Sequence, residues 1–241
     1  KSQDLQENLV VIPTYNEIEN VEAIVREVLT LPVDFHVLIV DDGSPDGTAA
    51  KVQALKIDYP GRLFLLERSG KQGLGTAYIT GFKWGLEQGY QYLFEMDADF
   101  SHPPAKLIDL YKACSSGAAD VTVGSRYTKG GDVENWPMDR LLLSRGASLY
   151  VRLITGMPVK DPTAGFICYR RQVLEKMDLD HIRFIGYAFQ IEMKYKAYKL
   201  GFKLVEVPIL FKDREQGVSK MNASIIKEAV FGVLALRFGR K

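Results

Sequence analysis

Leu9-Val10-Val11-Ile12-Pro13-Thr14-Tyr15-Asn16-Glu17 is the stretch from which the rest of the chain can be read. Four apolar residues in a row, with no polar alternation, mark a strand covered on both faces, and such strands belong to parallel sheets packed by helices above and below. Similar runs recur at His36–Val40, Leu63–Leu66, Tyr92–Met96 and Val121–Val123. Helix-length amphipathic segments separate them, at Ile18–Leu31, Asp46–Ile57, Gly73–Gln88 and Pro104–Ser115. The alternation predicts an α/β fold, a Rossmann-like and mostly parallel sheet with helices on both faces.

A sheet of this kind binds its ligand beyond the carboxyl ends of its strands. Those ends carry Pro13-Thr14-Tyr15-Asn16-Glu17, Asp41-Asp42-Gly43-Ser44 and Asp97-Ala98-Asp99. A dinucleotide fold would place G-x-G-x-x-G after its first strand, and a P-loop would need G-x-x-x-x-G-K-[ST]; the chain has neither. Gly73-Leu74-Gly75, following Lys71, fits equally a plain turn into a helix and a phosphate contact. Asp97 and Asp99 leave their strand on the same side, where two carboxylates repel unless a cation lies between them. Oxygen ligands without thiolate or imidazole suit Mg²⁺ or Mn²⁺ bridging to substrate phosphates. A capped, solvated helix start before His102-Pro103-Pro104 is the other reading of the same residues. Asp41 and Asp42 suit hydrogen bonds from a base or ribose, or else an N-cap region with Ser44 or Asp46 as the cap. Glu17 can serve likewise as a first-turn carboxylate. Three such motifs on one sheet edge favour a single site over three separate caps.

Composition sets the outer bounds. With 241 residues, 46% hydrophobic and 25% charged, the chain is ordinary globular material without repeats. Lys and Arg number 31 against 30 Asp and Glu, a net charge of +1 that supplies no bulk field for nucleic acid. The two cysteines, Cys114 and Cys168, form no metal-ligand spacing and read as small buried hydrophobes. The polar stretch Lys1 to Asn8 lacks the apolar core of a signal peptide, so a reducing, cytoplasmic setting is expected. The longest apolar run, Ala229 to Leu236, falls short of the roughly 20 residues that cross a bilayer. Trp84 and Trp136 read as packing residues and His102 as a polar residue at a helix start.

The motifs together resemble the inverting GT-A glycosyltransferases whose strands end in P-x-Y-N-E, D-D-x-S and D-x-D, and within them the polyprenol-phosphate (dolichol-phosphate) mannose synthases. Further residues that carry the resemblance are Gly73-Leu74-Gly75-Thr76-Ala77, Asp99-Phe100-Ser101-His102-Pro103, Gly124-Ser125-Arg126-Tyr127, Asp161-Pro162-Thr163-Ala164-Gly165-Phe166, Gly186-Tyr187-Ala188-Phe189-Gln190-Ile191-Glu192, and Arg214 with Gly217, Ser219 and Lys220. They span residues 9 to 221.

The resemblance implies GDP-mannose as donor, with Pro13, Tyr15, Glu17, Asp41 and Asp42 around the guanosine and Asp97, Ala98 and Asp99 beside the diphosphate. It implies a divalent metal, Mg²⁺ or Mn²⁺, on Asp97 and Asp99, with Ser101 reaching it through a water. Arg214 and Lys220 become diphosphate clamps in a closing lid, and Asp99, Arg126 and Arg214 the catalytic set. Arg126, Arg140 and Ser144 become the site for the phosphate of a polyprenyl phosphate; Arg140 and Ser144, four apart, share a helix face. A phosphomonoester is already anionic at neutral pH, so no general base is required. UDP-glucose as donor, a glycan hydroxyl as acceptor, and a nucleotide-sugar binding module without turnover are the competing readings.

Residues 1–221 then make the GT-A domain and 222–241 a C-terminal amphipathic helix, either packed on the core or lying at a membrane interface. The apolar helix carrying Leu141–Leu143, Leu149, Val151, Leu153 and Ile154 has the same two readings. Peripheral attachment to the cytoplasmic face of a membrane, or a membrane partner subunit, is implied by resemblance.

Overall fold

A computed structural model describes residues 7–213 and 223–239. Its strands are β1 (Asn8–Thr14), β2 (Phe35–Asp41), β3 (Leu63–Glu67), β4 (Tyr92–Glu95), β5 (Val121–Ser125), β6 (Asp132–Glu134), β7 (Ile167–Arg170), β8 (Leu204–Pro208) and β9 (Leu210–Lys212). Its helices are α1 (Val21–Leu29), α2 (Thr48–Leu55), α3 (Leu74–Glu87), α4 (Leu107–Ser115), α5 (Met138–Thr155), α6 (Arg171–Lys176), α7 (Ala188–Lys199) and α8 (Ala223–Phe238).

Seven strands form one sheet in the order β3-β2-β1-β4-β7-β5-β8. The chain moves outward from β1 through β2 to β3, then returns to lay β4 on the other side of β1. That reversal makes the β1/β4 crevice the switch point at which α/β sheets bind ligands. All five predicted strands are present and, with β8, run parallel to their like-directed neighbours. β7 is the exception: it lies antiparallel between β4 and β5. β6 and β9 pair in a small second sheet beside the first.

Side-chain alternation distributes β1 between two cores. Val10 and Ile12 pack with α1 and α4 on one face, and Leu9 and Val11 with α3 and α7 on the other, all fully buried. Burying such a side chain is worth about 1.5–3 kcal/mol, which is why the run tolerates no polar residue. α3 lies so close to β1 that a Cβ on Gly81 would stand 2.4 Å from Val11 Cγ1.

The first helix begins at Val21, later than its apolar pattern, because Glu17 to Asn20 form a turn closed by the Asn20 N–H to the Glu17 carbonyl at 3.0 Å. The fourth begins at Leu107, after a 3₁₀ turn over Pro104–Lys106 that follows two prolines lacking N–H donors.

α5 inverts the usual pattern. Its buried face is Ser144, Ser148, Val151 and Thr155, while Met138, Leu142, Leu143, Leu149 and Leu153 are exposed. α8 packs against α5 and α7, with Val233 fully buried beside Val151 and Ile191, and turns Phe231 and Phe238 outward. No helix among the described residues is long and apolar enough to cross a membrane.

Candidate active site

The turns after β1 and β2 are knitted together by side-chain hydrogen bonds. Asn16 adopts a left-handed conformation, φ 59°, and its N–H donates to Ser44 Oγ at 2.9 Å. The Glu17 N–H donates to Thr48 Oγ1 at 3.1 Å, and the Glu17 carboxylate accepts from Asn20. Asp46 accepts from the N–H and hydroxyl of Thr48 and from the Ile18 N–H, so it ties the start of α2 to the first turn. Tyr15 is exposed, with the Lys71 ammonium 4.9 Å above its ring.

Asp41 departs from expectation. Its carboxylate is fully buried and accepts from Thr14 Oγ1 (2.8 Å), the Ser44 N–H (2.8 Å) and Ser44 Oγ (2.6 Å). It therefore shapes the turn through Thr14 and Ser44. Asp42 Oδ1 faces the Arg68 guanidinium at 2.6 Å, both side chains nearly buried, and Arg68 also donates to Thr76 at the start of α3. Arg68 was not singled out in the sequence, although it is the first residue past the third strand.

At the end of β4, Asp97 Oδ1 accepts from Tyr78 Oη at 3.2 Å. Burial, then the Asp97 charge, push the Tyr78 pKa up, so the phenol remains a donor. Phe100 takes a left-handed φ of 60°, a strained choice for an aromatic residue, and so returns Ser101 toward Asp99. Asp99 Oδ1 then accepts from the Ser101 N–H (3.1 Å) and hydroxyl (2.6 Å). Ala98, between the two carboxylates, is 3% exposed, and its methyl group packs in the core with Met96. His102 is also no solvated helix start. It is buried, stacks on Phe166 at 5.1 Å, and its Nδ1 accepts the Asp97 N–H at 3.2 Å. Burial lowers its pKa, which keeps the ring neutral with its proton on Nε2.

A cleft of about 500 Å³ opens beside these residues. It brings Asp97, Asp99 and Ser101, past the end of β4, together with Arg126, past β5, and Arg140 and Ser144 on α5. Pro13, Tyr15, Glu17, Asp41 and Asp42 are not among its walls. Arg126 is 8% exposed and holds the fully buried Asp161 through both sides of its fork, Nε to Oδ2 at 2.7 Å and Nη2 to Oδ1 at 2.6 Å. Burial alone would raise the Asp161 pKa; the Arg126 charge and its hydrogen bonds overcome this and hold it below the usual carboxylate range. Arg140 donates to Asp213 at 2.8 Å, and Ser144 Oγ accepts from Tyr127 Oη at 2.6 Å.

Trp136, read from the sequence as packing, is a wall of the cleft. The Arg140 guanidinium lies 4.0 Å over its ring and that of Arg126 at 5.5 Å. Trp136 Nε1 and Arg140 Nε are buried donors without a hydrogen-bond partner. The available signal was spacing: Trp136 precedes Arg140 by four residues, at the mouth of the same helix. Arg214 and Lys220 lie outside the described residues.

The chemistry of the wall is thus divided. One part offers the Asp97 and Asp99 carboxylates, and another offers the Arg126 and Arg140 guanidinium groups, with orphaned N–H donors on Arg140 Nε and Trp136 Nε1. Among the described residues no group of three or more His, Cys, Asp or Glu side chains gathers as a metal cage. A hard cation completed by substrate phosphates and water needs only one or two protein carboxylates, so Asp97 and Asp99 fit such an ion.

The mannosyltransferase from Pyrobaculum calidifontis, solved with GDP-Man and Mn²⁺, superposes with a TM-score of 0.62 at 17% identity, over 99% of this chain and 66% of that one. The fold, with the acidic strand end at its switch point, is that of a GT-A glycosyltransferase. Residues 9–178 match glycosyl transferase family 2, and the chain belongs to that family. It is 51% identical over 228 residues to a polyprenol monophosphomannose synthase of Mycolicibacterium smegmatis, covering 95% of this chain and 86% of the relative. It is 45% identical over 225 residues to an undecaprenyl-phosphate mannosyltransferase of Micrococcus luteus, covering 93% and 91%. The chain is a glycosyltransferase, and these relatives are named for mannosyl transfer to polyprenyl phosphates.

Proposed function

We propose that this glycosyltransferase moves mannose from GDP-mannose to a polyprenyl phosphate with inversion, yielding polyprenyl phosphate β-mannose and GDP. The observation that carries the reading is the single cleft uniting the Asp97/Asp99 carboxylates with Arg126, Arg140 and Ser144. The names of the relatives and the donor bound by the Pyrobaculum enzyme support it.

The acceptor phosphate would lie against Arg140 and Trp136, whose orphaned N–H donors suit an anion, with Arg126 behind. Arg126 is held by Asp161 and Thr163, so its contribution is a fixed positive field. At neutral pH the phosphate oxygen attacks as an anion and no side chain need remove a proton. Attack on the anomeric carbon from the face opposite the leaving diphosphate inverts the configuration, through an oxocarbenium-like transition state. Asp97 and Asp99 would hold a divalent cation, Mg²⁺ or Mn²⁺, with Ser101 orienting Asp99. Such an ion, when bound, stabilises the charge of the departing diphosphate. Tyr15, Glu17 and Asp42, with Pro13, would carry the nucleoside at the β1 and β2 ends, and Arg214 and Lys220 the diphosphate.

Residues 1–221 would then be the catalytic unit and 222–241 an interfacial helix. The outward leucines of α5, beside the acceptor wall, and the outward Phe231 and Phe238 of α8 favour peripheral attachment to a membrane, on its cytoplasmic face.

The test is an organic-phase extraction assay with detergent-dispersed polyprenyl phosphate, Mg²⁺ or Mn²⁺, and labelled GDP-mannose or UDP-glucose in parallel. Label entering the lipid from GDP-mannose alone, in a product cleaved by a β-mannosidase, is the expected result. Lipid label from UDP-glucose alone would overturn the donor, and none from either would overturn the acceptor.

A further inference from the structure

Beneath the cleft floor lies a buried polar cluster to which the proposed function gives no role. Glu95 on β4 and Lys194 on α7 are both fully buried, and Gln190, one turn before Lys194, is 5% exposed and borders the cleft. Gln190 Nε2 donates to Glu95 Oε2 at 2.5 Å. Lys194 Nζ donates to the carbonyls of Ala164 (2.6 Å) and Gln190 (2.9 Å) and lies 3.5 Å from Gln190 Oε1. Burying two opposite charges costs several kcal/mol each before they attract, and well-packed apolar residues would commonly serve stability as well. The cluster therefore invites an account in terms of the site above it.

Burial pushes Glu95 up to about 7 and Lys194 down to about 8, and with Glu95 accepting and Lys194 donating the two fix the Gln190 carboxamide. Turned over, its carbonyl oxygen would face the Glu95 carboxylate and its NH₂ the Lys194 ammonium, both unfavourable. The NH₂ group carries two hydrogens, and Glu95 takes one. Above Nε2 stands Gly165, where an added Cβ would come within 3.3 Å of it. Gly165 and Gln190 both border the cleft, and the glycine places no side chain over Nε2.

We propose that Gln190 contacts the donor sugar, giving an Nε2–H hydrogen bond to a neutral hydroxyl of the hexose, and that Glu95 and Lys194 are positioning residues that lock its carboxamide. A neutral hydroxyl suits this donor better than a phosphate, because its Nε2 is an uncharged amide already bonded to Glu95, and Asp97 lies near enough to act on the same carboxyl group. Lys194 also ties the Ala164–Gly165 backbone to α7, so the same side chain sets both the amide and the opening above it. The inference rests on the nucleotide-sugar reading of the cleft.

The test compares wild type, Gln190→Met and Gly165→Ala, with GDP-mannose and the four donors deoxygenated singly at C2, C3, C4 and C6. Gln190→Met should lower kcat/KM for GDP-mannose about 10- to 100-fold, the loss for one buried hydrogen bond. GDP affinity, measured by calorimetry, should be unchanged. With one of the deoxy donors the loss should shrink to about threefold or less, since the hydroxyl that Gln190 holds is already missing. Gly165→Ala covers Nε2 without touching the buried charges and should reproduce that donor-specific pattern, which keeps the test decisive if Gln190→Met does not fold. Lys194→Met should show the same pattern with a smaller loss. Equal losses across all the donors, or wild-type kinetics in the Gln190 and Gly165 variants, would overturn the sugar contact. Absence of turnover by the wild-type protein with every donor would instead overturn the functional reading on which it rests.

Discussion

The strand-end turns and the arginine wall of the cleft are built differently. At the ends of β1, β2 and β4, adjacent in the sheet and proposed above for the donor, the turns carry short internal bonds: Ser44 on Asp41, Thr48 on Asp46, Ser101 on Asp99. On the arginine wall, proposed above for the acceptor, Arg126 meets Asp161 from 35 residues away, and Arg140 meets Asp213 from 73. The strand-end turns are held largely by short hydrogen bonds to neutral hydroxyls and amides, the buried Asp42–Arg68 pair being the charged exception. The acceptor side is a set of charges desolvated against one another, each depending on a distant segment. The first tolerates the loss of one partner; the second leaves a buried charge behind when one is removed.

Removing Arg126 is the hardest blow to that contrast. Arg126→Ala strands a fully buried Asp161 carboxylate and should cost about 3–5 kcal/mol in urea unfolding, with transfer lost as well. Arg126→Lys restores the charge without the fork and should recover only part of this. Unchanged stability in Arg126→Ala would mean that the pair does not hold the acceptor wall.

Asp99→Asn should act on chemistry alone. Ser101 can still bond the amide oxygen, so the melting temperature should hold while transfer falls about 100- to 1,000-fold, as for the loss of one group that stabilises transition-state charge. Normal activity would remove Asp99 from the catalytic set. Arg140→Ala should be milder and one-sided, raising KM for polyprenyl phosphate about 10-fold with KM for GDP-mannose unchanged. Equal effects on both substrates would dissolve the division between the two sides.

The smallest effect concerns acid. Asp161 has a folded pKa below its ordinary 3.8, so the unfolded chain binds its proton first as pH falls. Its stabilisation is fully present above that value and is lost as pH drops through it toward the folded pKa. Urea midpoints measured from pH 7 to 3 should therefore fall more gently for Asp161→Asn, from a lower starting point, than for wild type. Parallel curves would show that other carboxylates govern the acid limb.

Much of the donor side was legible because its signals are local. A run such as Leu9 to Ile12 declares a strand buried on both faces, and whatever follows a strand of a parallel sheet lies at the ligand edge. Asp97 and Asp99 were found by that rule alone. Asp41 shows its limit: a carboxylate in the right turn points inward or outward according to whether Thr14 and Ser44 reach it, which spacing does not say. α5 shows another limit. Its leucines look like a core stripe, yet the tertiary structure buries Ser144, Ser148, Val151 and Thr155 and turns Leu142, Leu149 and Leu153 out.

By itself the sequence determined the α/β class, the strand ends that carry the acidic motifs, and the family to which they belong. The period of side chains along a strand or helix is a property of neighbouring residues, and the strand-end rule follows from it. The tertiary structure alone decided that β7 runs antiparallel between β4 and β5, and this brings the Asp161–Gly165 loop over the cleft against Arg126. It also decided that Trp136, His102 and Gln190 line the cleft and that Glu95 and Lys194 lie beneath it. These pairings depend on strand order and on which charges share a dry interior, and no local period encodes either.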